Sequence, residues 1–220
     1  MDMIPETNAL RLVGALAGRP FYSHSSRGAD FWQFPLSVLR LSGTPDVLNV
    51  LVRRELLEAL PLTEGEKLCV EGELRSFNNR RGEGAKLVIT AWARTLALCD
   101  AEDENRLVLR GTLCKAPNLR QTPLGRDICD LMLAVNRHYG RSDYLPCICW
   151  GQLARQAAHW QVGDRLRLTG RVQSRRYLKQ TEDGPLSRTA YEVSVLTAEP
   201  VGATLAGARE NEYCRLKTEK

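Results

Sequence analysis

Through the stretch GDRLRLTGRVQSRRY, Gly163 to Tyr177, polar and apolar residues alternate with a period of two. Arg165, Arg167, Thr169, Arg171, Gln173, Arg175 and Tyr177 fall on one side of an extended strand, and Leu166, Leu168, Gly170, Val172 and Ser174 on the other. The pattern predicts a half-buried strand that turns an apolar face inward and shows four arginines and a ring outside. Strand patterning recurs over Leu107 to Leu113, Ile128 to Asn136, YLPCICW and TAYEVSVL. GQLARQAAHW reads as a short helix and TEDGP as a hairpin turn. The first half carries VLNVLV, EKLCVEGELRS and AKLVITAWA as strands and RRELLEAL as a helix in the corresponding places.

That correspondence is an internal repeat. NALRLVGALAGRP (Asn8 to Pro20) and NRLVLRGTLCKAP (Asn105 to Pro117) share N-x5-G-x5-P at an offset of 97, which also puts Arg40 and Asp46 on Arg137 and Asp143. After one inserted residue, GEKLCVEGELRS falls on GDRLRLTGRVQS with Gly, Leu, Gly and Ser in place. The chain therefore divides into residues 1–101, residues 102–203 and a tail of 204–220, with the acidic CDAEDEN as the joint. Five strands with a helix between the third and fourth is the order of an OB-fold. The predicted fold class is all-β with short helices: two tandem OB-folds, each a five-stranded Greek-key barrel of the kind whose face and loops hold single-stranded nucleic acid. Gly111 and Gly170 fall inside strands, where a small barrel needs bends or bulges.

Charge separates the halves. The formal total is +5, but residues 1–104 hold 12 Lys/Arg against 15 Asp/Glu, and residues 105–220 hold 19 against 11. The first half is −3 and the second +8, so the second is the expected polyanion surface. No apolar run approaches a membrane span, and MDMIPETNAL lacks the basic start and apolar core of a signal peptide. Seven cysteines, an odd number without repeated C-x-x-C spacing, argue against a disulfide framework or structural zinc and suit a reducing cytoplasm. No nucleophile triad, paired carboxylates, phosphate loop or H-E-x-x-H motif occurs, so neither an enzyme nor a cofactor is expected.

The second copy carries N-x5-G-x5-P, R-x-T-x-x-G, LAVNR, D-x6-WG-x-LA, GD-x5-G-x-x-QSR-x-Y and TAYEV. Together these resemble the bacterial single-stranded DNA-binding proteins over nearly all of residues 105–200; the first copy resembles them in framework only. The resemblance implies single-stranded DNA as the partner, bases stacked on aromatic side chains, four OB-folds in the working particle, and a cytoplasmic, nucleoid-associated location. Its four stacking positions fall on Tyr139, Tyr144, Trp150 and Tyr177. The period of two independently puts Tyr144 and Trp150 on one face with Pro146 and Ile148, opposite Cys147 and Cys149. Arg165, Arg167, Arg171 and Arg175, with Arg176, Lys179 and Arg188 of the hairpin, are the candidate phosphate contacts. A homodimer would supply four barrels. The terminal ARENEYCRLKTEK lacks the acidic tip by which family members recruit partners.

The first copy places Ser42, Val47, Arg53 and Asn79 at the stacking positions. It is expected to be a structural half, with Phe21, Tyr22, Phe31 and Trp32 as the makings of a different surface. Two other readings stay open at this level: a primosome-like protein-interaction module, and an RNA-binding OB protein, since stacking and phosphate contacts serve both nucleic acids. Alternating arginines also suit the solvated face of an antiparallel sheet.

Overall fold

The computed structural model describes residues 7–79, 85–137, 140–181 and 184–202. In the first half the order is β1 (Asn8–Leu16), β2 (Phe21–Ser26), β3 (Ala29–Leu39), β4 (Pro45–Arg53), α1 (Arg54–Glu58), β5 (Lys67–Asn78) and β6 (Leu87–Leu98). The second half repeats it with β7 (Glu104–Leu113), β8 (Asn118–Gln121), β9 (Asp127–Asn136), β10 (Ser142–Trp150), α2 (Gly151–Ala157), β11 (Arg165–Thr181) and β12 (Gly184–Pro200). Each half thus has one strand more than the sequence pattern predicts. The additions, β2 and β8, are edge strands that pair only with β3 and β9. Every residue of β8 is exposed and five of six in β2 are, so neither shows the alternation that betrays a strand.

Two five-stranded barrels result. Besides their neighbours in the sheet, β1 pairs with β3 and β7 with β9, and these pairings close the barrels. The glycine of each N-x5-G-x5-P element sits at that closure. A Cβ on Gly111 would lie 2.6 Å from the Ala134 carbonyl oxygen, and one on Gly14 would run into that of Ser37. Inside, Leu12, Phe34, Leu36, Val50, Leu68 and Val70 fill one barrel, and Leu109, Leu133, Leu145, Leu166 and Leu168 the other. Each such side chain contributes roughly 1.5–3 kcal/mol by leaving water.

The barrels join through antiparallel pairing of β1 with β7, from Asn8 opposite Leu109 to Val13 opposite Glu104. Leu10 lies opposite Leu107, its own counterpart in the repeat, so the joint has the geometry of a two-fold axis. Asn8 and Asn105, the first residues of the repeated element, strap β1 and β7 from the side. Asn8 exchanges hydrogen bonds of 2.7 and 2.9 Å with the Leu74 backbone, and Asn105 exchanges bonds of the same lengths with Val172.

Two reciprocal clasps complete the joint. The Asp46 carboxylate accepts hydrogen bonds from the Ser174 backbone N–H at 2.7 Å and from Arg40 at 2.7 and 2.5 Å, while Arg40 also donates to the Ser174 carbonyl at 3.1 Å. Across the axis, Asp143 accepts from the Ser76 N–H at 2.5 Å and from Arg137, which donates to the Ser76 carbonyl at 2.9 Å. Both carboxylates are fully buried. Burial pushes the Asp46 carboxyl up, but the bonds from Arg40 and Ser174 outweigh it and hold it below the usual carboxylate range. The Asp46 clasp therefore stabilises fully above about pH 4, the unfolded value, and is lost as acid protonates the folded carboxyl below it.

Asp46→Ala leaves two buried cationic partners uncompensated and is expected to cost about 3–5 kcal/mol. Urea unfolding should show a lowered midpoint and a weaker dependence on acid than in the wild type. Glu58→Ala, which breaks an exposed pair with Arg54, should leave the midpoint nearly unchanged.

Candidate nucleic-acid interface

On β10 the burial pattern alternates as the sequence predicts: Tyr144 and Trp150 are 50% and 39% exposed, and Leu145, Cys147 and Cys149 point into the core. Ile148, on the same face as the two rings, is nonetheless buried. Strand pairing brings further groups onto this face. Trp150 lies opposite Ile128 of β9, which lies opposite Arg120 of β8, so a cation, an isoleucine and an indole form one row across three strands. Arg120 is held by two hydrogen bonds to Asp130, at 2.6 and 3.1 Å. Beyond Trp150, Gly125, Arg126, Asp127 and Arg155 enclose a shallow hollow in which Arg155 donates to Asp127 at 2.5 Å. Arg120, Arg126 and Arg155 were absent from the sequence-based site. Arg120 belongs to the R-x-T-x-x-G motif, but β8 carries no alternation to show which way it faces.

The arginine strand keeps one side chain direction through its length, yet its rungs have different fates. Arg171 is half-buried and lies 3.3 Å from Asp46 of the other barrel and 3.4 Å from the Gln173 side chain. Burial, and then the nearby Arg40 charge, lower its pKa from the ordinary value. The expectation of a continuous outward ladder is corrected here: β11 crosses the neighbouring barrel at this point, so the middle rung serves the joint. Gln173 is likewise buried and donates to Glu192 at 2.7 Å.

The two ends remain at the surface. Arg165 is exposed, and Arg167 lies beside Glu199 at 3.3 Å. Arg175 is exposed with its guanidinium 5.8 Å from the centre of the Tyr177 ring, and Tyr177 lies opposite Arg188 in the hairpin. Ile148, Ser194 and Arg171 are in register across β10, β12 and β11. In that frame Trp150 lies toward the Arg167 end and Tyr144 toward the Arg175 end, so the surviving rungs bracket the two rings. Arg176 is exposed but alternates to the side away from Arg175 and Tyr177. Tyr139 and the Lys179 side chain lie outside the described residues, as does the tail from residue 203.

The corresponding face of the first barrel has no ring at Ser42, Val47, Arg53 or Asn79, yet it is not bare. Phe31 is buried there between His24, stacked at 5.1 Å, and Trp92, at 4.8 Å. The Arg75 guanidinium lies 3.9 Å over Trp92. Phe21 and Tyr22 are 52% and 54% exposed on β2.

Buried thiols behave as core groups. Burial pushes Cys149 up to about 12 and Cys147 higher still. Brief alkylation of the native protein near pH 8, mapped by mass spectrometry, should leave Cys129, Cys147 and Cys149 unmodified while Cys99 reacts; early labelling of the buried three would contradict the core assignment.

Comparison with known proteins places this geometry. A model of the single-strand binding protein family matches residues 104–201. The chain is similar to single-stranded DNA-binding protein 2 of Listeria monocytogenes, with 33% identity over 116 residues covering 50% of this chain and 72% of that protein. It is also similar to single-stranded DNA-binding protein 3 of Streptococcus agalactiae, with 35% identity over 83 residues, where it spans 60% of the relative's length and 34% of its own. Among solved structures, the wild-type single-stranded DNA-binding protein of Thermus aquaticus superposes with a TM-score of 0.72 at 24% identity, covering 92% of this chain and 98% of that one. That likeness is one of fold, and it extends over both barrels. With its repeated barrels, exposed rings and these matches together, the chain belongs to the single-strand binding protein family.

Proposed function

We propose that the protein is a non-enzymatic, cytoplasmic single-stranded DNA-binding protein of replication, recombination or repair. In this reading residues 102–203 carry the principal DNA site and residues 1–101 complete the pair of barrels. The observation that carries it is the pair of half-exposed rings, Tyr144 and Trp150, standing on a barrel face between arginine-bearing strands. Bases stack on Tyr144, Trp150 and Tyr177, with Tyr139 as a fourth position. Phosphates run along Arg165 and Arg167 at one end and Arg175, Arg176, Lys179 and Arg188 at the other. Arg120, Arg126 and Arg155 add cations around Trp150. Stacking and phosphate contact do not read base edges, so binding is tolerant of sequence. The chemistry is one of holding: the rings replace base-on-base stacking lost in an unpaired strand, and the guanidiniums neutralise its backbone.

Titration with oligo(dT) should quench tryptophan fluorescence, and log K should fall with log salt at about −0.7 per phosphate contacted. Trp150→Ala should remove about 1–3 kcal/mol of affinity if a base stacks there. Oligo(rU) binding equally well would favour RNA, and duplex binding equally well, or an affinity indifferent to salt, would overturn the proposal.

Two barrels per chain also point to a homodimer carrying four. Light scattering at micromolar concentration should give twice the chain mass; the monomer mass would remove the dimer and leave the DNA site untouched.

A further inference from the structure

The first barrel's outer face repeats the row at Trp150 with its chemistry inverted. In the second barrel the row across β8, β9 and β10 reads Arg120, Ile128, Trp150. The matching row across β2, β3 and β4 reads His24, Phe31, Arg53, since His24 lies opposite Phe31 and Phe31 opposite Arg53. Ring and cation have changed places while the buried apolar residue between them is kept. The strand positions agree with the repeat offset of 97, as Phe31 falls on Ile128 and Arg53 on Trp150.

From these placements we propose that the first barrel holds a second contact surface for single-stranded DNA, in which a base stacks on His24 and Phe21 of β2 and a phosphate lies against Arg53. This rests on the DNA-binding reading of the second barrel. His24 is exposed and its ring is nearly parallel to Phe31, at 18°, so it is already the outer member of a stack that a base can extend. Phe21, half-exposed, stands opposite Gln33, which is opposite Leu51, one strand from Trp92. Beneath, Trp92 is fixed by Phe31 and by Arg75, and Glu73 is held between Arg75 and Arg94. The floor is rigid, and the exposed rings lie at its β2 edge.

Charge supports a polyanion. Residues 17–34 hold two arginines and one aspartate, the face adds Arg53, Arg75 and Arg94 against Glu73, and α1 adds one arginine and two glutamates. That is six against four, or +2, in a half whose total is −3. The hairpin between β2 and β3 also turns through Arg27 and Gly28, both at positive φ, which leaves an exposed arginine at its tip.

The test uses the full chain with end-labelled oligo(dT) of two lengths, one about 10 nucleotides, within the site size of a single OB-fold, and one about three times longer. The double variant Phe21→Ala/His24→Ala and the single variant Arg53→Ala alter exposed side chains, and circular dichroism checks their folding. Each is expected to bind the short strand as the wild type does and the long strand about five-fold or more weakly, the lower range for one lost stacked base. Trp150→Ala should weaken both. Unchanged long-strand affinity in both first-barrel variants overturns the second surface. A wild type that binds neither length instead removes the DNA-binding reading itself.

Discussion

The pairing of β1 with β7 about Leu10 and Leu107 is the constraint on which the rest of the molecule depends. It merges two barrels into one sheet and sets their outer faces at fixed positions about a two-fold axis. Six residue pairs of strand are a short joint, and the reciprocal clasps reinforce it: each barrel extends an Arg–Asp pair to grip a serine in the fourth strand of the other. A buried carboxylate is costly alone and tolerable only when its partners are fully arranged. Because the partners of Asp46 and Asp143 come from both barrels, separating the barrels would strand two charges at once. The joint is thereby specific as well as stable.

The same frame explains why the two halves diverge on one side and not on the other. Inward positions repeat as leucine, valine and closely packed glycine because the barrel closes only at those sizes. Outward positions face water and are free to change. Glu73 and Arg171 occupy equivalent places, yet Arg171 reaches Asp46 across the joint while Glu73 stays within its barrel between Arg75 and Arg94. Burial pushes the Glu73 carboxyl up, and the two arginines more than offset it. One clasp therefore has a third cation and the other does not, and the cost to the second barrel is a missing rung in its arginine ladder. The exchange of Trp150 for Arg53, and of Arg120 for His24, is a further change of outer residues on an unchanged backbone.

The alternation of leucine with arginine, the offset of 97 and the pairing of Tyr144 with Trp150 on one face were all legible in the chain, because a strand's side-chain period is set locally by its backbone. The repeated Arg40–Asp46 and Arg137–Asp143 spacing was visible as well, though its purpose was not: nothing in a sequence says that Asp46 accepts its hydrogen bonds from Ser174, 128 residues away. The edge strands β2 and β8 were missed for want of a buried face. With them were missed the place of Arg120 beside Trp150 and the use of His24 and Phe31 as a stack.

By itself, then, the sequence determined two barrels of like order, the direction each strand residue faces, and which half carries positive charge, since these follow from local periodicity and composition. Only the tertiary structure decided which outward groups meet. Whether an arginine tracks a phosphate or closes a joint depends on what stands across from it, and that neighbour comes from another strand or the other barrel, whose approach no local pattern records.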